Sequence, residues 1–440
     1  MKNKLKTIAV FIIAIILLFP MLNLILNTTA AELDIPDIDR AGAVYLYNIE
    51  NDMVIYEKNT NSIIFPASTV KIMTGYIAVS QLKDRLDEKV TITDAMLEGA
   101  SGNCMKLVKN EVISINDLLY GVICGGYNDA AIAIAFCISG SVENFIALMN
   151  ETAENLNMQN TVYKNPTGMH DYEMVTTLSD TIIISKAAMS EPIFMEISSA
   201  VEYTVPANNK SFERTIYNRN ELIATNYTKK YYNENAQGLN AGSTTEGGYC
   251  VVTTTSQNSL TYLCIVMNAD EDILNDTVYS YAVANHLIDM ALSDYGYVEI
   301  IKANEVLSKI AVGLSLDIKE INLITSESKT VYMDKTYAAE DINYRIYLDK
   351  SIVNAPVSAG DVLGRVTVYY EGKIITTSPL VAETDVKPNV FLITLNAVKN
   401  FIKSSFFIIF ITSFCLLSTT YFLFCKPKKK SKNYTRKYYK

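Results

Sequence analysis

Ser68 and Lys71, three residues apart in Phe65-Pro66-Ala67-Ser68-Thr69-Val70-Lys71, are the pair in this sequence best spaced for covalent chemistry. Pro66 favours an extended residue before it and the first turn of a helix after it. The apolar positions Val70, Ile72, Met73, Ile77 and Ala78 follow at helical spacing. The pattern predicts a helix with Ser68 in its first turn, among free backbone N–H groups, and Lys71 on the same face. A lysine held beside a serine and partly desolvated can lose its proton near neutral pH and activate the hydroxyl as a nucleophile. Ser-x-x-Lys recurs at Ser80–Lys83 and Ser326–Lys329, so the spacing alone is also that of an N-cap serine with a solvated lysine. The chain has only two histidines, His170 and His286, which leaves few candidates for a Ser-His-Asp triad. A serine enzyme built on this chain needs lysine as its base.

The ends of the chain indicate where such chemistry would operate. Residues 1–31 read as an export signal: Lys2, Lys4 and Lys6, an uncharged stretch from Thr7, then small residues at Thr29-Ala30-Ala31. Its apolar part is long enough that an uncleaved anchor is the alternative. Residues 404–425 carry no charge and would span about 33 Å as a helix, enough for a bilayer core. Eight cations follow in residues 426–440, and the positive-inside rule places that tail in the cytoplasm. The chain between the two segments is therefore expected outside the cell, tethered at the cell membrane.

The net charge is −9 overall; without the eight tail cations and the three leading lysines, residues 32–403 carry −20. So acidic a surface argues against nucleic acid as a partner. Seven cysteines without CxxC spacing suggest no structural metal, and Cys124 and Cys137 sit in apolar runs as small hydrophobes. No cofactor motif stands out.

Residues 41–59 read as two strands joined by a turn at Glu50-Asn51-Asp52, and the Ser68 helix follows. Residues 116–135 and 142–156 look helical. Residues 249–255 and 260–268 form a strand pair, and 275–292 is helical again before Tyr297 closes the unit. Strands at both ends with helices between predict one sheet assembled from distant segments. From about Val298 short alternating runs separated by turns predict a small β-domain over 298–386. Residues 387–403 then read as an amphipathic helix leading into the bilayer.

Two further stretches join the Ser68 segment: Cys124-Gly125-Gly126-Tyr127-Asn128-Asp129-Ala130 and Gly238-Leu239-Asn240-Ala241-Gly242-Ser243-Thr244. Together the three resemble the active-site motifs of the low-molecular-mass penicillin-binding proteins, the serine D-Ala-D-Ala carboxypeptidases. The likeness extends through residues 145–171 and 202–215 and into the small β-domain. It implies an α/β fold, a sheet sandwiched by helices over 32–297 with an all-helical subdomain beside it and the active site between the two. It also implies peptidoglycan stem peptides as substrates and β-lactams as covalent ligands. By match, Ser68 is the nucleophile, Lys71 the base, and Asn128 the residue that holds the substrate amide. Gly126, Asn240, Gly242 and Ser243 fall at substrate-binding positions, and the backbone N–H groups of Ser68 and Ser243 form the oxyanion hole.

The sequence also departs from the family pattern. The usual Ser-x-Asn is Gly126-Tyr127-Asn128, which removes a hydroxyl that relays a proton to the leaving amine. The usual Lys-Thr-Gly is Asn240-Ala241-Gly242, which removes a cation and a hydroxyl that the family turns toward the substrate carboxylate. No Lys or Arg occurs from Tyr262 to Tyr297, where the family often places an arginine. Losing one or two charge-assisted hydrogen bonds, at ~1.5–3 kcal/mol each, would cost roughly 10- to 10⁴-fold in substrate capture if nothing compensates. Two readings follow: a membrane-anchored carboxypeptidase with an altered carboxylate pocket, or a degenerate scaffold that binds peptidoglycan or penicillin without turnover.

Overall fold

A computed structural model describes residues 35–424 apart from 338. The expected signal segment 1–31, Cys425 and the basic tail 426–440 lie outside the described residues. The chain divides after Tyr295 into two compact units.

The first unit is built on an antiparallel sheet of β1 (Ala41–Asn48), β2 (Met53–Lys58), β3 (Ala236–Thr244), β4 (Gly248–Gln257) and β5 (Leu260–Ala269). Their order is β2-β1-β5-β4-β3, so strands from both ends of the unit meet at the β1–β5 ladder and β3 is left as an edge. Seven of the eight β1 residues are buried, as a strand covered on both faces requires. Helices α1 (Val70–Leu82), α2 (Ile115–Ile123), α3 (Asn128–Ser139), α4 (Val142–Asn155), α5 (Leu178–Met189) and α6 (Pro192–Ser199) form a layer whose α1, α5 and α6 pack on the sheet. The closing helix α7 (Tyr279–Asp294) packs on β4 and β5. Two short ribbons, Lys89–Thr91 with Val112–Ser114 and Glu202–Val205 with Arg214–Tyr217, accompany the helical layer.

Residues 116–135 do not form one helix. The chain breaks after Ile123 and restarts at Asn128, because Gly126 takes a φ of +64° that ends one helix and aims the next. Ser114 and Asp117 close the start of α2 as a capping box. Likewise α7 begins four residues later than the periodicity suggests, since Thr277–Val278 pairs as a strand with Glu271–Asp272.

The second unit holds a six-stranded sheet of β6 (Val306–Gly313), β7 (Glu320–Thr325), β8 (Ile342–Leu348), β9 (Ile352–Asn354), β10 (Val362–Tyr370) and β11 (Lys373–Ala382), in the order β8-β10-β11-β7-β6-β9. Its core gathers Ile310, Leu323, Val366, Val368 and Leu380. Helix α8 (Val390–Lys403) buries none of its residues and exposes Phe391, Leu395, Val398 and Phe401. Helix α9 (Ser405–Phe424) is long and apolar enough to cross a membrane.

Gly75 marks the tightest crossing in the helical layer. A Cβ there would lie 2.7 Å from Ile123 Cγ1 and 2.8 Å from Phe194 Cε2, so α1 meets α2 and α6 only because this position is bare. Overpacking costs about 1–3 kcal/mol, whereas alanine gains about 1 kcal/mol of helix propensity. Gly75→Ala is therefore expected to lower stability by about 1 kcal/mol in denaturant unfolding, against the gain that propensity alone would give.

Candidate functional site

Ser68 lies in a single 3₁₀ turn, Ala67–Thr69, that runs directly into α1. The turn is closed by Thr69, whose N–H and Oγ1 both donate to the carbonyl of Pro66, at 3.2 and 2.6 Å. Ala67 takes a φ of +48°, a conformation that costs a non-glycine residue of order 1–3 kcal/mol and occurs here directly before the candidate nucleophile. Ser68 itself is half-buried and borders an open cleft of about 510 Å³.

Lys71, one helical turn on, is 1% exposed. Its Nζ donates 2.5 Å to the carbonyl of Thr167, and among the described residues no carboxylate lies within 4.0 Å of it. Burial pushes its pKa down from 10.5 to about 7, with the charge of Arg219 adding to the effect and Cys104 opposing it. The other two Ser-x-x-Lys matches differ sharply. Lys83 is 46% exposed and pairs with Glu191, and Lys329 is 33% exposed and pairs with Glu327.

The loop that receives Lys71 is shaped by Asn165. Its Oδ1 accepts from Thr167 N–H, Thr167 Oγ1 and Gly168 N–H, an Asx turn that aims the Thr167 carbonyl inward. Gly168, at φ +79°, lets the loop touch the nucleophile's turn, since a Cβ there would fall 2.1 Å from the Ala67 carbonyl oxygen. The sequence reading assigned this loop no role, because its contribution is a backbone carbonyl.

Asn128 opens α3 on the opposite wall. Its Nδ2 donates 2.7 Å to the Ser101 carbonyl, while its Oδ1 is buried with no hydrogen-bond partner among the described residues. Asp129 beside it accepts from the N–H groups of Met105 and Leu107, which pins the 101–107 loop against the helix. Asn103 from that loop donates to the carbonyls of Gly125 and Gly126.

Edge strand β3 closes the third side. Ala241, Gly242, Ser243 and Thr244 line the cleft; Asn240 does not, being 4% exposed with an unpartnered Oδ1. A Cβ on Gly242 would lie 2.5 Å from Ser68 Cβ and 2.7 Å from its Oγ, so the strand presses directly on the serine. Of the sequence-matched residues, Ser68, Asn128, Gly126, Gly242 and Ser243 thus line one cleft, while Lys71, one helical turn from Ser68, and Asn240 are buried and do not line it.

The cleft also contains a cation that sequence reasoning missed. Arg219 lines it from the segment after the Arg214–Tyr217 ribbon strand. The run Asn218-Arg219-Asn220, an arginine between two turn-forming residues, was the available signal.

A five-stranded antiparallel sheet with helices on both faces, opening onto a buried lysine and a serine from one turn, defines the serine–lysine class of penicillin-binding folds. A family profile described as D-alanyl-D-alanine carboxypeptidase matches residues 28–271, and one described as penicillin-binding protein 5, C-terminal domain, matches residues 295–388. The chain belongs to the D-alanyl-D-alanine carboxypeptidase family of low-molecular-mass penicillin-binding proteins. It is 28% identical over 356 residues to D-alanyl-D-alanine carboxypeptidase DacF of Bacillus subtilis, covering 80% of this chain and 87% of that one. It is 28% identical over 378 residues to DacC of Escherichia coli, covering 82% and 88%. The crystal structure of penicillin binding protein 5 from Haemophilus influenzae shares the fold, with a TM-score of 0.55 at 24% identity over 81% of this chain and 99% of that one.

Two glycines should respond differently to one added methyl. Gly242→Ala is expected to abolish covalent β-lactam labelling while leaving the protein folded, because only Ser68 must move. Gly126→Ala meets nothing closer than 3.6 Å but keeps a left-handed backbone, and is expected to cost about 1–2 kcal/mol in thermal unfolding.

Proposed function

We propose that this chain is a membrane-anchored serine-type D-alanyl-D-alanine carboxypeptidase that trims the terminal D-alanine from peptidoglycan stem peptides through a Ser68 acyl-enzyme. The observation that carries this reading is Lys71: buried and without a carboxylate partner among the described residues, it is held one turn from Ser68 with its pKa pushed down to about 7. A structural lysine has no reason to be placed so. A base for a serine hydroxyl must be neutral when it acts and able to hold the proton afterwards, which a pKa near the working pH allows.

In this scheme Ser68 Oγ attacks the carbonyl between two D-alanines as its proton passes to Lys71. The oxyanion is held by the backbone N–H groups of Ser68 and Ser243. Asn128 Oδ1, otherwise unpartnered, accepts from a substrate amide. The C–N bond then breaks, the proton on Lys71 passes to the leaving amine of D-alanine, and water hydrolyses the ester to restore Ser68. With Gly126 in place of a hydroxyl, Lys71 serves both proton transfers.

A second reading, a peptidoglycan-binding scaffold without turnover, is favoured by the same Gly126 and by the neutral, buried Asn240. A fluorescent penicillin separates the two. The expected result is one covalent label, lost in Ser68→Ala and unchanged in Ser80→Ala. An unlabelled wild type would favour the scaffold. The labelling rate should follow the neutral fraction of Lys71, levelling above about pH 7 and falling roughly tenfold per unit below it.

The apolar helix Ser405–Phe424 and the eight cations after it support a C-terminal anchor, with the two folded units outside the cell and the tail in the cytoplasm. External protease on intact cells should remove the units and leave a tail epitope protected; a tail epitope reachable from outside would reverse the topology.

A further inference from the structure

We infer that His170 and Glu246 are positioning residues, which strap the loop carrying Gly168 to the turn between β3 and β4 and so hold one end of the cleft closed around the nucleophile's turn. The inference rests on the cleft being the substrate site, as proposed above, and adds how its walls are kept in register.

Three segments meet at His170. Its ring lies edge-on to Phe65, with centroids 4.8 Å apart, and edge-on to Tyr172, at 4.5 Å. Phe65 leads through Pro66 into the Ala67–Thr69 turn that bears Ser68. From the β3–β4 turn, Glu246 Oε2 approaches His170 Nδ1 to 3.8 Å, the one carboxylate within 4.0 Å of the imidazole among the described residues. The His170 side chain is 17% exposed, and its Nε2 is buried with no hydrogen-bond partner among the described residues. A ring held this dry with one nitrogen unsatisfied is costly to the fold, so its placement calls for a compensating role.

The two strapped segments grip the serine's turn from different sides. Gly168, two residues before His170, touches the Ala67 carbonyl, as described above. Gly247, one residue after Glu246, lies against the same turn: a Cβ there would fall 3.1 Å from Ala67 Cβ and 3.3 Å from the Phe65 carbonyl oxygen. Each segment is shaped internally. Gly247 N–H donates 2.9 Å to Thr244 Oγ1, and Asn165 Nδ2 donates 2.9 Å to the Met169 carbonyl. Met169, next to His170, and Thr244, two residues before Glu246, both line the cleft. The strained Ala67 is thus held between two glycine-bearing segments, and the His170–Glu246 contact links those segments side chain to side chain. Loosening the link would let Met169 and Thr244 separate and widen the cleft beside Ser68.

The link depends on charge. At 3.8 Å the contact is too long for a hydrogen bond, and His170 attracts Glu246 as an ion only when protonated. Imidazole as a class changes charge between pH 5 and 8. The other ionisable groups around the ring are Asp171, Tyr172 and Glu173 of its own loop, with Glu173 paired to Lys164. The nucleophile's segment brings the uncharged Phe65 against it. Acidification therefore tightens the strap while it protonates Lys71, so substrate holding and acylation respond to pH in opposite directions.

The test is carried out on detergent-solubilised full-length protein bearing Ser68→Ala, so that binding is read without turnover. Calorimetry at pH 6 and pH 8 measures the affinity for an acylated tripeptide ending in D-Ala-D-Ala. Adding His170→Gln or Glu246→Gln should weaken binding roughly two- to fivefold at pH 6 and little at pH 8. The two substitutions together should cost no more than either alone, because both remove one interaction. Titration of Lys71 is common to all the variants and cancels in the comparison. Glu246 is 37% exposed in a turn, so its variant tests the link even where the His170 variant fails to fold. Equal weakening at the two pH values, additive losses, no loss at pH 6, or no binding of the peptide by the Ser68→Ala protein would overturn the inference. Failure of the carboxypeptidase reading would appear separately, as absence of penicillin labelling in the unsubstituted protein.

Discussion

A lysine amine buried with no carboxylate partner among the described residues is the constraint on which this site depends. Lys71 is 1% exposed and bonds to a backbone carbonyl, with no carboxylate partner among the described residues, so the folded protein disfavours its charged form. A carboxylate in place of the Thr167 carbonyl would have stabilised the charge and kept the lysine protonated at neutral pH. The Asx turn at Asn165, the positive φ of Gly168 and the hydroxyl bond from Thr74 to the Pro166 carbonyl all hold that carbonyl where it is. Their common effect is to satisfy one N–H of the lysine while giving it no reason to stay charged.

The same economy of space governs the serine. Ser68 is confined between the Gly168 loop and β3, and at both contacts a glycine is the only residue that leaves room. Close approach of a bare strand edge offers backbone N–H groups at a distance that a side chain would prevent. The 3₁₀ turn, with Ala67 strained at its start, offers others. This explains why the third motif keeps Gly242 while its two preceding residues have changed. Asn240 and Ala241 alter what the cleft presents to a substrate, whereas Gly242 determines whether Ser68 fits at all.

What could be read from the sequence follows the range of the interaction. Ser68 and Lys71 are three residues apart on one helix, so spacing alone placed them together. The opening hairpin and the β4–β5 pair were visible because adjacent strands carry their own turn signals. The split between α2 and α3 was missed because apolar periodicity runs through Gly125-Gly126 and the left-handed φ of Gly126 is not a periodic feature. The Thr167 contribution was invisible for a different reason. It is a main-chain atom 96 residues from the lysine it serves, and no side-chain type announces it. Arg219 lay outside the strand and helix where a cation was sought, and only the fold carries its segment to the cleft. Asn240 was matched to a substrate-binding position, yet its side chain is buried and absent from the cleft lining.

The position of Arg219 in the cleft has a structural consequence. A lysine on β3 would be carried by the same sheet edge that presses on the serine, so charge and nucleophile would be set by one element. Arg219 instead comes from a segment braced to α6 and α7 as well as to β3. Its distance from Ser68 then depends on how the helical layer meets the sheet, a junction fixed by the buried Asn218 and Asn220 and by the Arg214–Glu111 pair upstream. Polar groups buried this completely are costly to leave half-satisfied, so the junction tolerates little change. Moving the charge off the strand therefore trades a local placement for one spread across the whole first unit.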